Sequence, residues 1–221
     1  MILKYLSLWI NPYDFDDELR NFFIYKSYSI TQYIERNLKL AKFESSGFNH
    51  LSIKVCERPN TKVFVVPEKA LNIEIPFIIS DFKKAKAGYD LNKYFSKLIV
   101  EGIEKAKIHY SIPDENIFNL LIDFHKNHYQ NEWLYQKKIN KSKNLIAELH
   151  CKLTTDNFLL ILKVLDKKEI ILNKQVLKTL PSSFIYKPRF KNLVWNDNEL
   201  IITNIDDKPI FKYNHAKERT K

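Results

Sequence analysis

The chain has 221 residues, of which 45% are hydrophobic, 28% charged and 14% aromatic. This balance is typical of a globular protein that can bury a core, and it excludes wholesale disorder. The 36 Lys and Arg residues outnumber the 26 Asp and Glu residues, so the net charge is +10. Such a surplus favours anionic partners such as nucleic acid, a membrane surface or an acidic protein, or it serves only to keep an aromatic-rich chain in solution.

Glycine occurs only three times, as Gly47, Gly88 and Gly102. Loops that hold phosphates need clustered glycines, because the backbone must approach the phosphate closely and adopt positive φ. The patterns G-x-x-x-x-G-K, G-x-G-x-x-G and G-x-S-x-G are all missing, which excludes P-loop, Rossmann and α/β-hydrolase chemistry. The two cysteines, Cys56 and Cys151, are too few for a disulfide framework, and we expect both to be reduced, buried thiols.

The apolar N-terminal segment 1–10 does not have the pattern of a signal peptide. It lacks a basic start and a small-residue cleavage site, and Asn11-Pro12 ends it early. No apolar run in the sequence reaches the roughly 18–20 residues that span a bilayer. These features predict a cytoplasmic protein without membrane association.

The first half of the chain predicts a mixture of strands and helices. Alternating apolar residues predict strands at 2–10, 50–57, 62–66 and 71–77, and Pro76 suggests that the last of these lies at a sheet edge. Acidic residues from Asp14 onwards predict the start of one helix, and a second is predicted from Thr31 to Leu40. Asp90 is predicted to cap a helix that runs to Ala106, and Pro113 to begin another, so 90–130 should form an αα-hairpin.

The second half of the chain predicts short antiparallel strands. Alternation is strict from Leu145 to Leu153, and turn residues separate the runs that follow. These runs are 158–165, 169–178, 184–190, 193–195, 200–203 and 210–213. We therefore predict an α+β protein with a mainly antiparallel sheet and the helical pair packed on one face. It should form one domain, 1–221, and the alternative is a subdivision into 1–136 and 144–213 around the lysine-rich segment Lys137–Lys143.

Two patterns could carry catalytic or metal chemistry. His125 and His128 share a helical face at metal-ligand spacing, but Asp123 points away from that face. Asp81-x-Lys83 with Glu74, and Glu148-x-x-x-Lys152, pair acids with lysines as nuclease sites do. Both patterns are built from common residue types, so we expect no catalytic residue, no metal and no cofactor. A hydrolase without a sequence motif is retained only as a third class of function.

The stretch from Ile170 to Asn196 contains no acidic residue and holds the best candidate contact surface. As an extended strand, 184–190 would place Phe184, Tyr186, Pro188 and Phe190 on one face and Lys187 and Arg189 on the other. Such a face could follow phosphates or dock an acidic protein. The predicted contact residues are Tyr186, Lys187, Arg189 and Lys191, followed by Trp133, Tyr135, Lys137 and Lys138.

Several segments together resemble immunity proteins of bacterial toxin–immunity and contact-dependent growth inhibition systems. The segments are Gly102–Ala106, Ile112–Asn116, Asn131–Tyr135, Leu177–Pro181 with Phe184–Tyr186, and Lys208–Phe211. The resemblance implies a non-enzymatic cytoplasmic protein that binds one toxin and blocks it. Inhibitors of nucleic-acid-cleaving toxins tend to be acidic, so the +10 charge predicts an acidic toxin surface or binding away from the toxin's active site.

The alternative is a nucleic-acid-binding protein that uses the 170–196 face and the Lys137–Lys143 segment. Salt distinguishes the two functions, because phosphate binding weakens steeply with ionic strength whereas a packed protein interface persists.

Overall fold

A computed structural model describes residues 1–85 and 88–218 and confirms the α+β class. The chain divides into two compact units, 1–131 and 132–221. The division precedes the lysine-rich segment that the sequence suggested as a boundary. No helix in the described part of the chain is long and apolar enough to cross a bilayer.

The first unit contains a four-stranded sheet and its helices. In chain order the elements are β1 (Tyr5–Ile10), α1 (Asp17–Ala41), β2 (His50–Cys56), β3 (Phe64–Val65), β4 (Ala70–Pro76), α2 (Ile79–Lys84), α3 (Gly88–Lys107) and α4 (Asp114–Lys126). The strand order is β1-β2-β4-β3, with β1, β2 and β4 parallel and β3 antiparallel. The predicted αα-hairpin is thus part of a unit whose sheet is mostly parallel.

Helix α1 is continuous, although the sequence predicted two helices with a break near its serines. Asp16 caps its N-terminus by accepting a hydrogen bond from the Leu19 N–H at 2.8 Å. Ser27 and Ser29 do not interrupt it, because both lie buried with tertiary partners. The Ser27 hydroxyl donates to the Leu8 carbonyl at 3.4 Å, and the Ser29 carbonyl accepts from the Asn131 amide at 2.7 Å.

Helix α1 also closes the free edge of β1. Since β1 pairs only with β2, the backbone groups on its other side need partners. Side chains of α1 supply them: Glu35 accepts from the Leu6 N–H at 3.3 Å, and Ser27 donates to the Leu8 carbonyl. This edge of the sheet is therefore covered.

Two sequence predictions in this unit need correction. Strand β4 is internal, between β2 and β3, and Pro76 is tolerated because β3 opposes only Leu71 and Asn72. Lys105 covers part of the remaining side by donating to the Glu74 carbonyl at 2.6 Å. Helix α3 begins at Gly88, so Asp90 lies inside its first turn, where an acid still favours the helix dipole.

The second unit contains two antiparallel sheets. Its elements are β5 (Asn131–Asn140), β6 (Leu145–Leu153), β7 (Phe158–Asp166), β8 (Glu169–Thr179), α5 (Ser183–Tyr186), a 3-10 turn (Lys187–Arg189), β9 (Asn192–Asn196), β10 (Glu199–Thr203), β11 (Pro209–Asn214) and α6 (His215–Glu218). The orders are β5-β6-β7-β8 and β11-β10-β9. The pairs β6–β7, β7–β8, β9–β10 and β10–β11 are antiparallel, as the sequence predicted for this half.

Strict alternation in β6 and β7 buries one face of the four-stranded sheet. Leu149 and Cys151 of β6 and Leu160 and Leu162 of β7 are fully buried, and their sequence neighbours are only half-buried. Cys56 and Cys151 are free, buried thiols, as expected. Strand β5 was not predicted; Lys137 belongs to it and pairs with Glu148 of β6 at 3.0 Å, so this lysine-rich stretch begins in a strand.

Candidate partner-binding surface

Residues 184–190 form a helical turn, and the predicted extended strand is wrong. Ile185 and Tyr186 both donate backbone hydrogen bonds to the Ser182 carbonyl at 2.9 Å, and Pro188 occupies an early position of the 3-10 turn. Strand and helix periods both place residues 186 and 190 on one side of the chain. They differ at Phe184, which a helix rotates by about 200° away from Tyr186.

That rotation exposes Phe184 and buries its neighbours. Tyr186 is 3% exposed and Phe190 is buried, whereas Phe184 is 90% exposed. Tyr186 stacks on Phe158 with a centroid distance of 3.9 Å, and Phe190 stacks on the same ring at 5.4 Å. Tyr186 therefore packs in the interior beneath the turn and cannot contact a partner directly, whereas Phe184 is the aromatic side chain exposed to solvent.

The structure brings the two predicted sets of contact residues together. The Tyr135 ring lies 4.9 Å from the Phe190 ring, and its hydroxyl donates to the Lys191 carbonyl at 3.3 Å. The Trp133 ring lies 6.3 Å from Phe158. One aromatic cluster therefore connects β5 to the 184–190 turn, a long-range contact that residue spacing could not predict.

The predicted cations differ in whether they have acidic partners. Lys191 bonds Asp207 at 3.1 Å, and Lys137 bonds Glu148 at 3.0 Å, which holds the pKa of that carboxyl below its usual range. Lys187, Arg189 and Lys138 are exposed, and the described residues give them no salt bridge. Among the predicted contact cations, those without an acidic partner therefore lie in the turn that carries Phe184 and on β5.

We call Phe184, Lys187 and Arg189 the basic knob. Its flank carries a further exposed apolar side chain, Ile205, whose N–H donates to the Pro188 carbonyl at 3.2 Å. An exposed aromatic ring beside arginine is a combination enriched at protein interfaces. Phe184 was predicted on the aromatic face and not among the contact residues. Pro188, which occupies an early position of the 3-10 turn, was the signal in the sequence that favoured a helical turn.

A second polar constellation lies on one face of the first unit's sheet. Ser7 Oγ and His50 Nε2 are 2.8 Å apart, and Trp9 donates to Ser52 Oγ at 2.8 Å. A serine bonded to histidine is half of a catalytic triad, yet within the described ranges no carboxylate bonds the other ring nitrogen of His50. These bonds cross from β1 to β2 and fix the register of the parallel pair.

His50 gives the first unit a predictable response to acid. Burial lowers the pKa of His50, so the unfolded chain binds the proton more tightly than the folded chain. Its stabilising contribution is complete above the unfolded pKa of about 6.5 and falls as the pH drops towards the folded value. In urea unfolding, we expect the wild type to lose more stability than His50→Gln between about pH 7.5 and about pH 5.5. Equal losses in the two proteins would contradict this assignment.

The nuclease-like and metal-like patterns resolve into local pairs. Asp81 bonds Lys84 at 2.9 Å, Glu74 bonds Lys54 at 2.5 Å, and Lys152 bonds Glu132 at 2.7 Å. Burial raises the pKa of the Cys56 thiol to about 11, which keeps it protonated at neutral pH.

His125 and His128, the pair at metal-ligand spacing, lie in different settings. His125 Nε2 is 2.8 Å from the Tyr89 hydroxyl, whereas His128 follows the end of α4 and has a positive φ. Across residues 1–85 and 88–218, no group of three or more His, Cys, Asp or Glu side chains is placed to hold a metal.

No protein-family model, curated protein or solved structure matches the chain.

Proposed function

We propose that this protein is a non-enzymatic binding protein that neutralises a cognate bacterial toxin, with the basic knob as part of its contact surface. The toxin-neutralising role follows from the resemblance to immunity proteins. The observation that supports a binding role is Phe184, which is 90% exposed beside two cations without acidic partners. Burying a large aromatic ring is favourable, so a partner surface that covers Phe184 would gain free energy from its burial.

The charge of the knob indicates an acidic partner surface. Lys187 and Arg189 are exposed and have no salt bridge within the described residues. The 204–208 loop bonds to Pro188 through the Ile205 N–H, and its Asp207 is already bonded to Lys191 and Asn192. Complementary charge raises the association rate and selects the partner, while the buried aromatic ring provides most of the affinity. A toxin with an acidic face around an apolar pocket fits both features.

Capture through Phe184 itself tests this proposal. A photo-crosslinking amino acid is placed at position 184, and in a second protein at Tyr13, an equally exposed aromatic of the first unit at 94%. Both proteins are irradiated in native cells and recovered after nuclease treatment in moderate salt. We expect one protein to be crosslinked to position 184 and not to position 13. Expression of the gene for that captured protein should arrest growth unless this chain is co-expressed.

Substitution of the knob then measures its contribution. With the captured toxin, Phe184→Ala should weaken binding roughly 30-fold, equivalent to about 2 kcal/mol, as for a central aromatic anchor. Lys187→Glu with Arg189→Glu should slow association and abolish protection from growth arrest. Calorimetry and stopped-flow mixing report the two effects.

The controls keep exposure and charge constant. Tyr13→Ala removes another exposed aromatic ring, and Lys83→Glu with Lys93→Glu changes net charge by the same amount on exposed lysines of the first unit. Knob variants that bind the toxin as well as these controls would refute the role of the knob. Adducts with nucleic acid in place of protein would favour the nucleic-acid alternative.

A further inference from the structure

Most strand edges in this protein are covered or short. Side chains of α1 cover β1, and β3 contains only Phe64 and Val65. The edge of β9 is closed by β5, because Gln136 accepts from the Leu193 N–H at 2.8 Å and Asn140 donates to the Asp197 carbonyl at 2.7 Å. Strand β11 is six residues long and begins at Pro209, which cannot donate to a neighbour.

Two edges remain, and both belong to the four-stranded sheet. Strand β5 forms one edge, and its side chains Gln136 and Asn140 bond to β9. Strand β8 forms the other; it is eleven residues long and pairs on one side with β7 only. Within this fully described strand, no backbone group has a hydrogen-bond partner other than β7. The strand contains no proline and most of its residues are exposed, and its register against β7 shifts at two positions, between Leu160 and Ile161 and between Val164 and Leu165. The stretch 172–175, between the two shifts, pairs regularly with β7, and a regular edge of this kind is a template for an added strand.

The charges of β8 select the kind of strand that can add. The register places Lys174 opposite Leu162, on the buried face, where its ammonium lies 5.1 Å from the centroid of the Phe211 ring of β11, and Lys178 opposite Leu159, on the outer face. The strand's single acid is Glu169 at its first position, so both faces of the edge present a cation. A second copy of β8 would add two lysines and one acid to the ribbon, so it complements Lys174 and Lys178 in charge less well than an acidic segment does.

We infer that β8 receives an extended, acidic segment of a partner protein, which adds as a fifth strand to this sheet. Backbone hydrogen bonds along the edge would supply affinity, and carboxylates facing Lys174 and Lys178 would supply selectivity. The exposed Ile170 and Ile171 at the start of β8 offer apolar contacts to one end of the added strand.

The edge and the knob belong to one continuous stretch of chain. Strand β8 ends at Thr179, exposed Leu180 follows, and α5 with Phe184 begins at Ser183. This inference rests on the proposed function, since one toxin would use both features: an extended segment on β8 and a folded surface on the knob.

Hydrogen exchange of β8 tests the inference without the toxin. The probe is a blocked eleven-residue peptide in which valine alternates with glutamate, and its control replaces glutamate with lysine. With the edge about 90% occupied, amide exchange in residues 169–179 should slow about tenfold for the acidic peptide, with no change for the basic one. Lys174→Glu with Lys178→Glu should reverse this preference, while Lys83→Glu with Lys93→Glu should leave it unchanged.

Each outcome decides the inference. Unchanged exchange in β8 at saturating acidic peptide overturns it, as does protection confined to the knob. Protection of β8 in the free protein together with a dimeric mass would assign the edge to a second copy and also overturn it. If the knob variants lose toxin binding but the acidic peptide does not protect β8, the proposed function stands and the strand addition is refuted. If the acidic peptide protects β8 but no toxin is captured, the strand addition stands and the proposed function is refuted.

Discussion

Replacing Gly102 with leucine should destabilise the first unit by about 3 kcal/mol, because α3 packs there directly onto β2. A Cβ atom at this position would lie 2.8 Å from Ile53 Cδ1 and 3.0 Å from two further atoms of the same side chain. Ile53 is fully buried, so it has little room to move away. Urea unfolding followed by the tryptophan of β1 should report the loss.

Two variants separate this clash from a general effect of helix substitution. Val100→Leu enlarges a partly exposed position of the same helix and should change stability by less than about 0.5 kcal/mol. Ile53→Ala should relieve part of the clash, so the double variant should lose less than the sum of the single losses. Strict additivity would show that the contact between Gly102 and Ile53 is not the cause.

Replacing Phe158 with alanine should cost about 3–5 kcal/mol, the largest loss that we expect in the second unit. Phe158 is fully buried and stacks on Tyr186 at 3.9 Å and on Phe190 at 5.4 Å. Its removal leaves a cavity directly under the turn that carries the knob. Loss of near-UV circular dichroism and a lower unfolding midpoint should accompany it.

A matched variant lies one residue further along the strand. Leu159→Ala truncates a half-buried side chain on the opposite face and should cost much less. If the basic knob binds a partner as proposed, Phe158→Ala should also weaken that binding although Phe184, Lys187 and Arg189 are retained, because the turn that carries them loses its packing on Phe158. A loss below about 1 kcal/mol would mean that the aromatic stack does not hold the second unit together.

Local patterns predicted the elements of this fold better than their arrangement. Strict alternation in 145–153 and the turn residues that separate the runs after it predicted β6, β7 and β8 and their antiparallel order, since short turns leave few other pairings. The parallel pairing of β1 with β2 and of β2 with β4 could not be predicted in the same way, because it depends on which helix packs beside which strand. The false break in α1 has a similar origin: Ser27 and Ser29 disfavour an isolated helix but find tertiary partners here.

The sequence predicted which cations belong to the candidate surface but not the backbone conformation that displays them. Spacing identified Lys187 and Arg189 as exposed cations, which they are. It could not distinguish strand from helix for residues 186 and 190, because both periods bring these two residues to the same side. The ambiguity concealed Phe184, and no pattern in the sequence predicts that Tyr135 meets Phe190 across more than fifty residues.

The connections between strands give the two units different folding speeds. Only residues 154–157 separate β6 from β7 and only 167–168 separate β7 from β8, whereas all of 11–49 must be ordered before β2 can join β1. Since long-range parallel pairing is slow, the second unit should acquire structure first during refolding although ribosomes synthesise it last. Pulse-labelling during refolding should therefore protect β6–β8 before β1 and β2. In a chain that refolds in this order, the unit that carries the basic knob is already structured while the N-terminal unit is still forming.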